Sequence, residues 1–212
     1  MFWAFYFQMF LSLTLFLFRA VRGTLLGIEF SPPYYVGVQS FGMLVIGYFI
    51  TRRQSPVNKL SHAGVRTGNK FVIAMIFMLM AYSIITAICY LSPSNALLSP
   101  LLFIPVYLLI SAAELFLSPV GLSAITMLAS RRKVSTMMGI FFVSLGIGGF
   151  LSGKLATLTA MNSRVISLAE IKHHYAQSFG LLLLILAIAT ILCFALNWLI
   201  KKLLIVGPNG ST

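Results

Sequence analysis

The chain has 212 residues, of which 59% are hydrophobic and 8% are charged, whereas charged residues make up roughly a quarter of an average soluble domain. Its formal net charge is +12, but the Lys and Arg residues occur in short clusters between apolar runs and form no basic face with interleaved aromatics. This distribution argues against nucleic-acid binding. The composition excludes a soluble fold and indicates a protein embedded in a lipid bilayer.

Six apolar stretches approach the length of about 20 residues that an α-helix needs to cross a bilayer. The first has no basic region before it and no small-residue cleavage site, so we interpret it as a span and not as a signal peptide. We expect an all-α membrane protein with one transmembrane domain over 1–206 and a polar tail over 207–212. The six predicted spans are 2–18, 34–50, 71–91, 101–128, 135–158 and 178–200.

Lys and Arg residues favour one side of this six-span arrangement by two to one. Cytoplasmic loops are enriched in these residues, so we expect the richer side, with both termini, to be cytoplasmic. We expect the chain in a bacterial inner (plasma) membrane. The residues on the richer side are Arg52, Arg53, Lys59, Arg66, Lys70, Arg131, Arg132, Lys133, Lys201 and Lys202.

Two amide side chains, Gln8 and Gln39, lie within the first and second predicted spans. Either can hydrogen-bond a polar substrate, as can Tyr6 beside the first of them. Single amides within spans also join neighbouring helices. The sequence leaves both interpretations open.

Glu114 is the one acidic residue within a predicted span. An ionisable group at this depth costs about 2.5 kcal/mol or more unless it faces a polar interior. Ser111 and Ser118 share its face at helical spacing, so the span presents a polar stripe. We interpret Glu114 as a candidate proton or amine site, with a protonated carboxyl that joins two helices as the alternative.

Pro119 and Gly121 follow Glu114 and predict an interruption of the fourth span. A broken helix at membrane depth is tolerated where it lines a cavity, which favours a transport path over an ordinary proline kink. In the fifth span, Gly149 and Gly153 form a GxxxG motif, which we interpret chiefly as a helix-packing signal.

The chain contains neither GxSxG, HExxH nor the phosphate-binding GxxxxGK[ST] motif. We therefore expect no enzymatic activity, and no cofactor or metal is implied. Cys89 and Cys193 lie within apolar runs and are interpreted as packing residues. We expect His173 and His174 in a solvated loop.

The stretch from Glu114 to Gly153 reads ELFLSPVGLSAITMLASRRKVSTMMGIFFVSLGIGGFLSG. It resembles the signature of the proton-dependent oligopeptide transporter (POT/PTR) family of the major facilitator superfamily, and FWAFYFQMFLSLTLF near the start resembles that family's seventh span. The six spans thus resemble spans seven to twelve, the carboxy-terminal half. Positions that match the signature are Glu114, Ser118, Pro119, Gly121, Leu122, Ser123, Thr126, Leu128, Ala129, Ser135, Met138 and Gly139.

The resemblance implies that Glu114 helps to bind the amino terminus of a di- or tripeptide and takes part in proton coupling. It also implies that Phe141 lines the substrate pocket, at a position where the family usually has tryptophan. Phe7 stands where many members have a carboxylate. Further departures are Ser130 for the proline of LAP, Gly149 for a frequent asparagine, and the absence of Asn-Pro around 39–41.

The family architecture has about twelve spans, in two six-helix halves around a central site. The resemblance therefore implies one half of a proton-coupled peptide transporter, incomplete for transport alone. Its expected partners are a peptide substrate, protons, the lipid bilayer, and an amino-terminal six-helix half or a second copy, without nucleic acid. The alternative is a non-transporting remnant or the partner subunit of a split transporter.

Overall fold

The computed structural model of the chain describes residues 1–25, 27–53, 63–93, 95–130, 132–161 and 167–206. The expected polar tail over 207–212, together with Lys59 and Arg131, lies outside the described residues. Six membrane-length helical segments are apolar enough to cross a bilayer, which confirms the all-α membrane fold. They are Phe2–Ala20, Pro33–Ile50, Thr67–Leu91, Pro100–Met127, Val134–Thr157 and Leu168–Leu203.

Two short helices share the first span, and each later span has one helix of its own. A 3₁₀ turn, Phe7–Met9, lies between the two short helices, and another, Pro100–Phe103, precedes the fourth span. Two antiparallel strands, β1 (Thr24–Leu25) and β2 (Ile28–Glu29), connect the first and second spans. The helices are α1 (Phe2–Tyr6), α2 (Ser12–Ala20), α3 (Pro33–Arg53), α4 (Ala63–Leu91), α5 (Ile104–Leu128), α6 (Val134–Thr157) and α7 (Leu168–Val206).

The first span is broken near its middle, although 7–11 contains neither Gly nor Pro. Helical geometry ends at Leu11, whose φ of −106° and ψ of −94° lie outside the α region. The Thr14 hydroxyl donates a 2.6 Å hydrogen bond to the carbonyl of Met9, which the interrupted helix leaves without an intrahelical partner.

The fourth span, by contrast, is one continuous helix. α5 runs from Ile104 to Leu128 with Pro119 inside it, so the predicted interruption at Pro119 and Gly121 is wrong. Proline removes one backbone donor from the helical ladder, and a membrane helix tolerates this loss where neighbouring groups satisfy the backbone.

The helix ends define two ends of the bundle. At one, Val21 pairs with Leu98 and the Arg22 amide donates to the Leu98 carbonyl at 3.0 Å, so the strands lie beside the α4–α5 connection. We call this the hairpin end. At the other, α1, α4 and α6 begin and α3, α5 and α7 end. We call it the basic end after its described cations Arg52, Lys70, Arg132, Lys133, Lys201 and Lys202.

The last helix begins ten residues before the predicted span, at Leu168, so the expected loop at His173 and His174 is wrong. The Ser167 hydroxyl accepts the Glu170 amide at 3.2 Å and caps the helix. Lys172 is 3% exposed, and its Nζ donates to the carbonyls of Pro93 and Ala96 at 2.7 and 2.5 Å. Lys172, one of the polar residues that indicated a loop, thus fastens α7 to the α4–α5 connection.

The core lies among the first span, α4, the fourth span with the 3₁₀ turn before it, and α7. Its fully buried members include Phe16, Phe103, Tyr175 and Phe179, each 0% exposed. Cys89 is buried and Cys193 half-buried, which confirms both as packing residues. α6 is peripheral, with 6% of its membrane window buried against 44% for α4 and for α5. One face of α6 is therefore open.

The close contact between α1 and α6 occurs at Gly148. A Cβ there would lie 2.3 Å from Cβ of Trp3 and 3.3 Å from the backbone nitrogen of Ala4. A Cβ at Gly153 would meet nothing within 4 Å, and one at Gly149 would only approach the Phe7 ring at 3.9 Å. The interpretation of the GxxxG motif as a packing signal is therefore wrong within this bundle. The close contact between α1 and α6 is at Gly148, and neither Gly149 nor Gly153 takes part in it.

Candidate functional site

The half-buried carboxylate of Glu114, in α5, receives hydrogen bonds from two other helices. The Tyr6 hydroxyl, at the end of α1, donates to Oε2 at 2.8 Å. The Gln39 amide of α3 donates to the same oxygen at 2.7 Å. Within the described residues, Oε1 receives no side-chain hydrogen bond. The site therefore joins three helices at one carboxylate oxygen and leaves the other open to a further donor.

A close approach of α3 to α5 positions the Gln39 amide. The Ser111 hydroxyl lies 2.8 Å from the carbonyls of both Gln39 and Tyr107, so it can donate to either. A Cβ at Gly42 would lie 2.7 Å from Cδ2 of Leu108 and 2.9 Å from Oγ of Ser111. The absence of a side chain at Gly42 therefore allows this spacing. Gln39 is 4% exposed, so packing fixes its amide in place.

The break in the first span positions Tyr6. This tyrosine is the last residue of α1, and the 3₁₀ turn that follows changes the helical period immediately after it. Its ring lies 5.6 Å from that of Trp3 in an edge-on arrangement. The Gln39 amide also lies 3.4 Å from its hydroxyl, so Tyr6, Gln39 and Glu114 form one small polar cluster.

Gln8 belongs to a separate buried network between the first span and α6. Its Nε2 donates to the carbonyl of Ser152 at 2.7 Å and to the Ser152 hydroxyl at 3.1 Å. Its Oε1 accepts from Ser12 at 2.6 Å, and the Ser12 hydroxyl lies 2.6 Å from that of Thr159. Gln8 is 0% exposed. Of the two interpretations that the sequence leaves open, the structure shows the helix-joining one.

Ser118 and Phe141 lie on the basic-end side of the Glu114 cluster. Ser118 is half-buried one turn beyond Glu114. The Phe141 ring lies 6.3 Å from that of Trp3 at an interplanar angle of 86°. It lines a cavity of about 520 Å³, to which Leu117 and Gly121 of α5 also contribute. The cavity thus begins within one turn of Glu114 along α5.

The expected site residues therefore divide into three groups. Glu114 and Gln39 are in direct contact, Ser118 and Phe141 lie on the following turns and the cavity wall, and Gln8 lies elsewhere. The contact between Tyr6 and Glu114 joins residues 108 positions apart, so no local pattern predicts it. The one feature of the sequence that points to Tyr6 as a site residue is that it carries a polar hydroxyl within a predicted span.

The arrangement is suited to exchanging a cation or a proton. Within the membrane, a carboxylate is expensive unless it is hydrogen-bonded or paired. The donors from Tyr6 and Gln39 satisfy one oxygen of Glu114. The open oxygen can accept a proton or form a charge-assisted hydrogen bond with an ammonium group.

A family model described as the POT family (PTR2) matches residues 1–174 of the chain. Dipeptide and tripeptide permease B of Shigella dysenteriae is 26% identical over 214 residues, which cover 99% of this chain and 42% of the relative. Dipeptide and tripeptide permease A of Klebsiella pneumoniae is 27% identical over 180 residues, which cover 83% of this chain and 35% of the relative. The chain thus spans about two fifths of the permease B sequence.

Solved structures of peptide transporters share the fold. The crystal structure of tetrameric PepTSo2 superposes with a TM-score of 0.74 at 23% identity, covering 95% of this chain and 41% of that one. A bacterial homologue of the human drug peptide transporters PepT1 and PepT2 gives a TM-score of 0.71 at 22% identity, with coverages of 95% and 41%. These coverages are consistent with a six-helix half of the complete architecture.

Proposed function

The chain belongs to the POT family, and from this premise we propose that it forms the carboxy-terminal half of a proton-coupled di- or tripeptide transporter. The observation that carries the proposal is the Glu114 carboxylate, held at one oxygen by Tyr6 and Gln39 and open at the other. Support comes from relatives that are dipeptide and tripeptide permeases. The alternative, a non-transporting remnant, would match the same relatives over the same length, so the uptake experiment below has to distinguish the two.

Glu114 is the proton and amine site in this proposal. When ionised, its open oxygen pairs with the ammonium group at the amino terminus of a peptide. When a proton occupies the same oxygen, the negative charge is lost and the ammonium group is released. Tyr6 and Gln39 keep the carboxylate oriented in both steps, since both donate to Oε2.

The neighbouring residues complete the path on this half. Ser118 offers a hydroxyl one turn from Glu114, and Phe141 supplies an aromatic wall beyond it. Gln8 is not assigned a substrate contact, because its amide is already engaged with Ser152 and Ser12.

The membrane orientation follows from charge. The basic end carries the described cations Lys70, Arg132, Lys133, Lys201 and Lys202, so we propose by the positive-inside rule that it faces the cytoplasm. Bacterial relatives support a bacterial inner membrane. The proposal puts both termini on the cytoplasmic side, since the described residues begin and end at the basic end. The open faces of α3 and α6, with 17% and 6% of their membrane windows buried, are where a second six-helix half packs.

Uptake of a labelled dipeptide into proteoliposomes with an imposed proton gradient tests the proposal. The chain is reconstituted alone and together with the first six spans of a related permease. Glu114→Gln is compared with Glu170→Gln, which changes an exposed carboxylate at the start of α7. We expect uptake that requires the added half, is lost in Glu114→Gln and persists in Glu170→Gln.

Two results would contradict the proposal. Undiminished uptake by Glu114→Gln would remove Glu114 as the coupling site. No uptake under either reconstitution, from protein with a cooperative thermal transition, would remove the assignment as a transporter half.

A further inference from the structure

Two buried tyrosines of neighbouring helices, Tyr35 of α3 and Tyr107 of α5, have hydroxyl groups without a hydrogen-bond partner among the described residues. Their side chains are 1% and 0% exposed. The other three buried tyrosines each have a partner for the hydroxyl, so the lack of one distinguishes this pair. These three are Tyr6, which donates to Glu114, Tyr82, which donates to the Phe5 carbonyl, and Tyr175, which accepts from Arg19.

The two tyrosines without partners lie against each other. Their rings are stacked, with centroids 5.3 Å apart and an interplanar angle of 29°. Both helices begin at the hairpin end, and each tyrosine precedes by one turn a residue of the contact already described, Gln39 or Ser111. The pair therefore continues the contact between α3 and α5 by one turn toward the hairpin end.

The described groups packed around the pair are mainly hydrocarbon. Phe30 lies edge-on to Tyr35 with ring centroids 4.8 Å apart, and the Phe103 ring lies 6.4 Å from it. The Ser111 hydroxyl, one turn away, already lies 2.8 Å from two backbone carbonyls. A hydroxyl buried without a partner loses the hydrogen bonds that it makes in water. Buried water molecules commonly supply such partners in proteins.

We propose that one internal water molecule bridges the hydroxyls of Tyr35 and Tyr107. A phenolic hydroxyl both donates and accepts, so the water accepts from one tyrosine and donates to the other. Two hydrogen bonds of about 2.8 Å join hydroxyl oxygens up to about 5.6 Å apart, a span that suits rings whose centroids lie 5.3 Å apart. The water is thus a further polar joint between α3 and α5, and its presence does not depend on transport.

Radiolytic footprinting of the full chain in detergent detects such a water. X-ray pulses convert bound water into hydroxyl radicals, which oxidise a tyrosine ring in contact with that water, and mass spectrometry measures the rate at each tyrosine. Tyr82 is the internal control, because it is 3% exposed and its hydroxyl already donates to a backbone carbonyl. We expect Tyr35 and Tyr107 to be oxidised several-fold faster than Tyr82, although all three are buried.

Removal of one hydroxyl tests whether the water is shared. In Tyr35→Phe, oxidation of Tyr107 should fall to the rate of Tyr82, because the water loses one of its two partners. Tyr35→Phe and Tyr107→Phe should each lower the melting temperature, and the double variant should lose less than the sum, since the same water is lost once. Tyr90→Phe, which removes a hydroxyl from a side chain that is 59% exposed, should leave both measurements unchanged.

Three outcomes would overturn the inference. Oxidation of Tyr35 and Tyr107 as slow as that of Tyr82 would mean that no water contacts the pair. Higher melting temperatures in both single variants would show that the hydroxyls are buried without any partner, because a phenyl ring then fits the site better. Strictly additive losses, with Tyr107 oxidised at the wild-type rate in Tyr35→Phe, would give each hydroxyl a separate partner.

Discussion

The Gln39 amide of α3 donates a 2.7 Å hydrogen bond to the Glu114 carboxylate of α5, across a helix contact that Gly42 keeps narrow. The same helices are joined by Ser111, whose hydroxyl can donate to the Gln39 carbonyl. The side chain and the backbone of one residue are therefore both held by α5. Because of this double attachment, Gln39 is a fixed partner for the Glu114 carboxylate. The rest of the second span, which carries Gln39, is mostly exposed.

Tyr6→Phe should destabilise the protein by about 1 kcal/mol, since it removes one donor to a carboxylate and keeps the ring packing. Thermal unfolding in detergent measures the effect. Tyr34→Phe is the matched control, because that hydroxyl belongs to a side chain that is 56% exposed. An equal change in both variants would mean that the contact between Tyr6 and Glu114 contributes nothing.

Gln8→Leu should cost about 0.6–2 kcal/mol, the range for hydrogen bonds between membrane helices. It leaves the hydroxyls of Ser12 and Ser152 without their shared amide. A double-mutant cycle with Ser152→Ala isolates the interaction between Gln8 and Ser152. We expect a stabilising coupling energy of the same order as the loss caused by Gln8→Leu alone. Strict additivity of the two single changes would show that the network is not energetically connected.

Gly148→Ala should destabilise the contact between α1 and α6 by about 1–3 kcal/mol, as overpacking does in a closely fitted interface. Backbone and Cβ atoms of the first span occupy the space that the new methyl group needs, so relaxation requires a helix to move. Gly146→Ala, on the same helix, meets nothing within 4 Å and is the control. Matching melting temperatures for the two variants would contradict the close approach.

Lys172→Met should loosen the connection between α4 and α5 at the hairpin end. The carbonyls of Pro93 and Ala96 lose their shared donor, which costs about 1–3 kcal/mol where such groups stay buried. Hydrogen exchange of the amides in 95–98 should become faster, whereas Lys154→Met, which changes an exposed lysine on α6, should leave it unchanged. Unaltered protection in Lys172→Met would show that other contacts hold the connection.

The sequence predicts the helices well because the bilayer imposes a simple requirement, a long apolar run, on each span. The positions of Cys89 and Glu114 can be interpreted for the same reason, because each lies in an apolar run and therefore within the membrane. The start of α7 could not be predicted from the sequence. Polar residues such as Lys172 occur in loops, and they also occur in helices whose side chains bind a neighbouring connection. The break after Tyr6 carries no Gly or Pro to mark it.

The candidate site was predictable only in part. Glu114 stands out because of its energetic cost in a span, but its partners depend on how distant helices pack. The amides of Gln8 and Gln39 look alike in sequence, yet one joins α6 and the other contacts Glu114. The chemistry of a side chain limits the roles that it can have, and its position in the tertiary structure determines which of them it has.

Both donors to Glu114 converge on a single oxygen, so the carboxylate cannot turn freely about its last carbon–carbon bond. An ordinary surface glutamate offers two equivalent oxygens to a cation arriving from any direction. Here the two oxygens are inequivalent, and the accessible one faces a direction that α1, α3 and α5 fix jointly. A cation that pairs with Glu114 must therefore approach from that one direction, whatever the shape of the molecule that carries it.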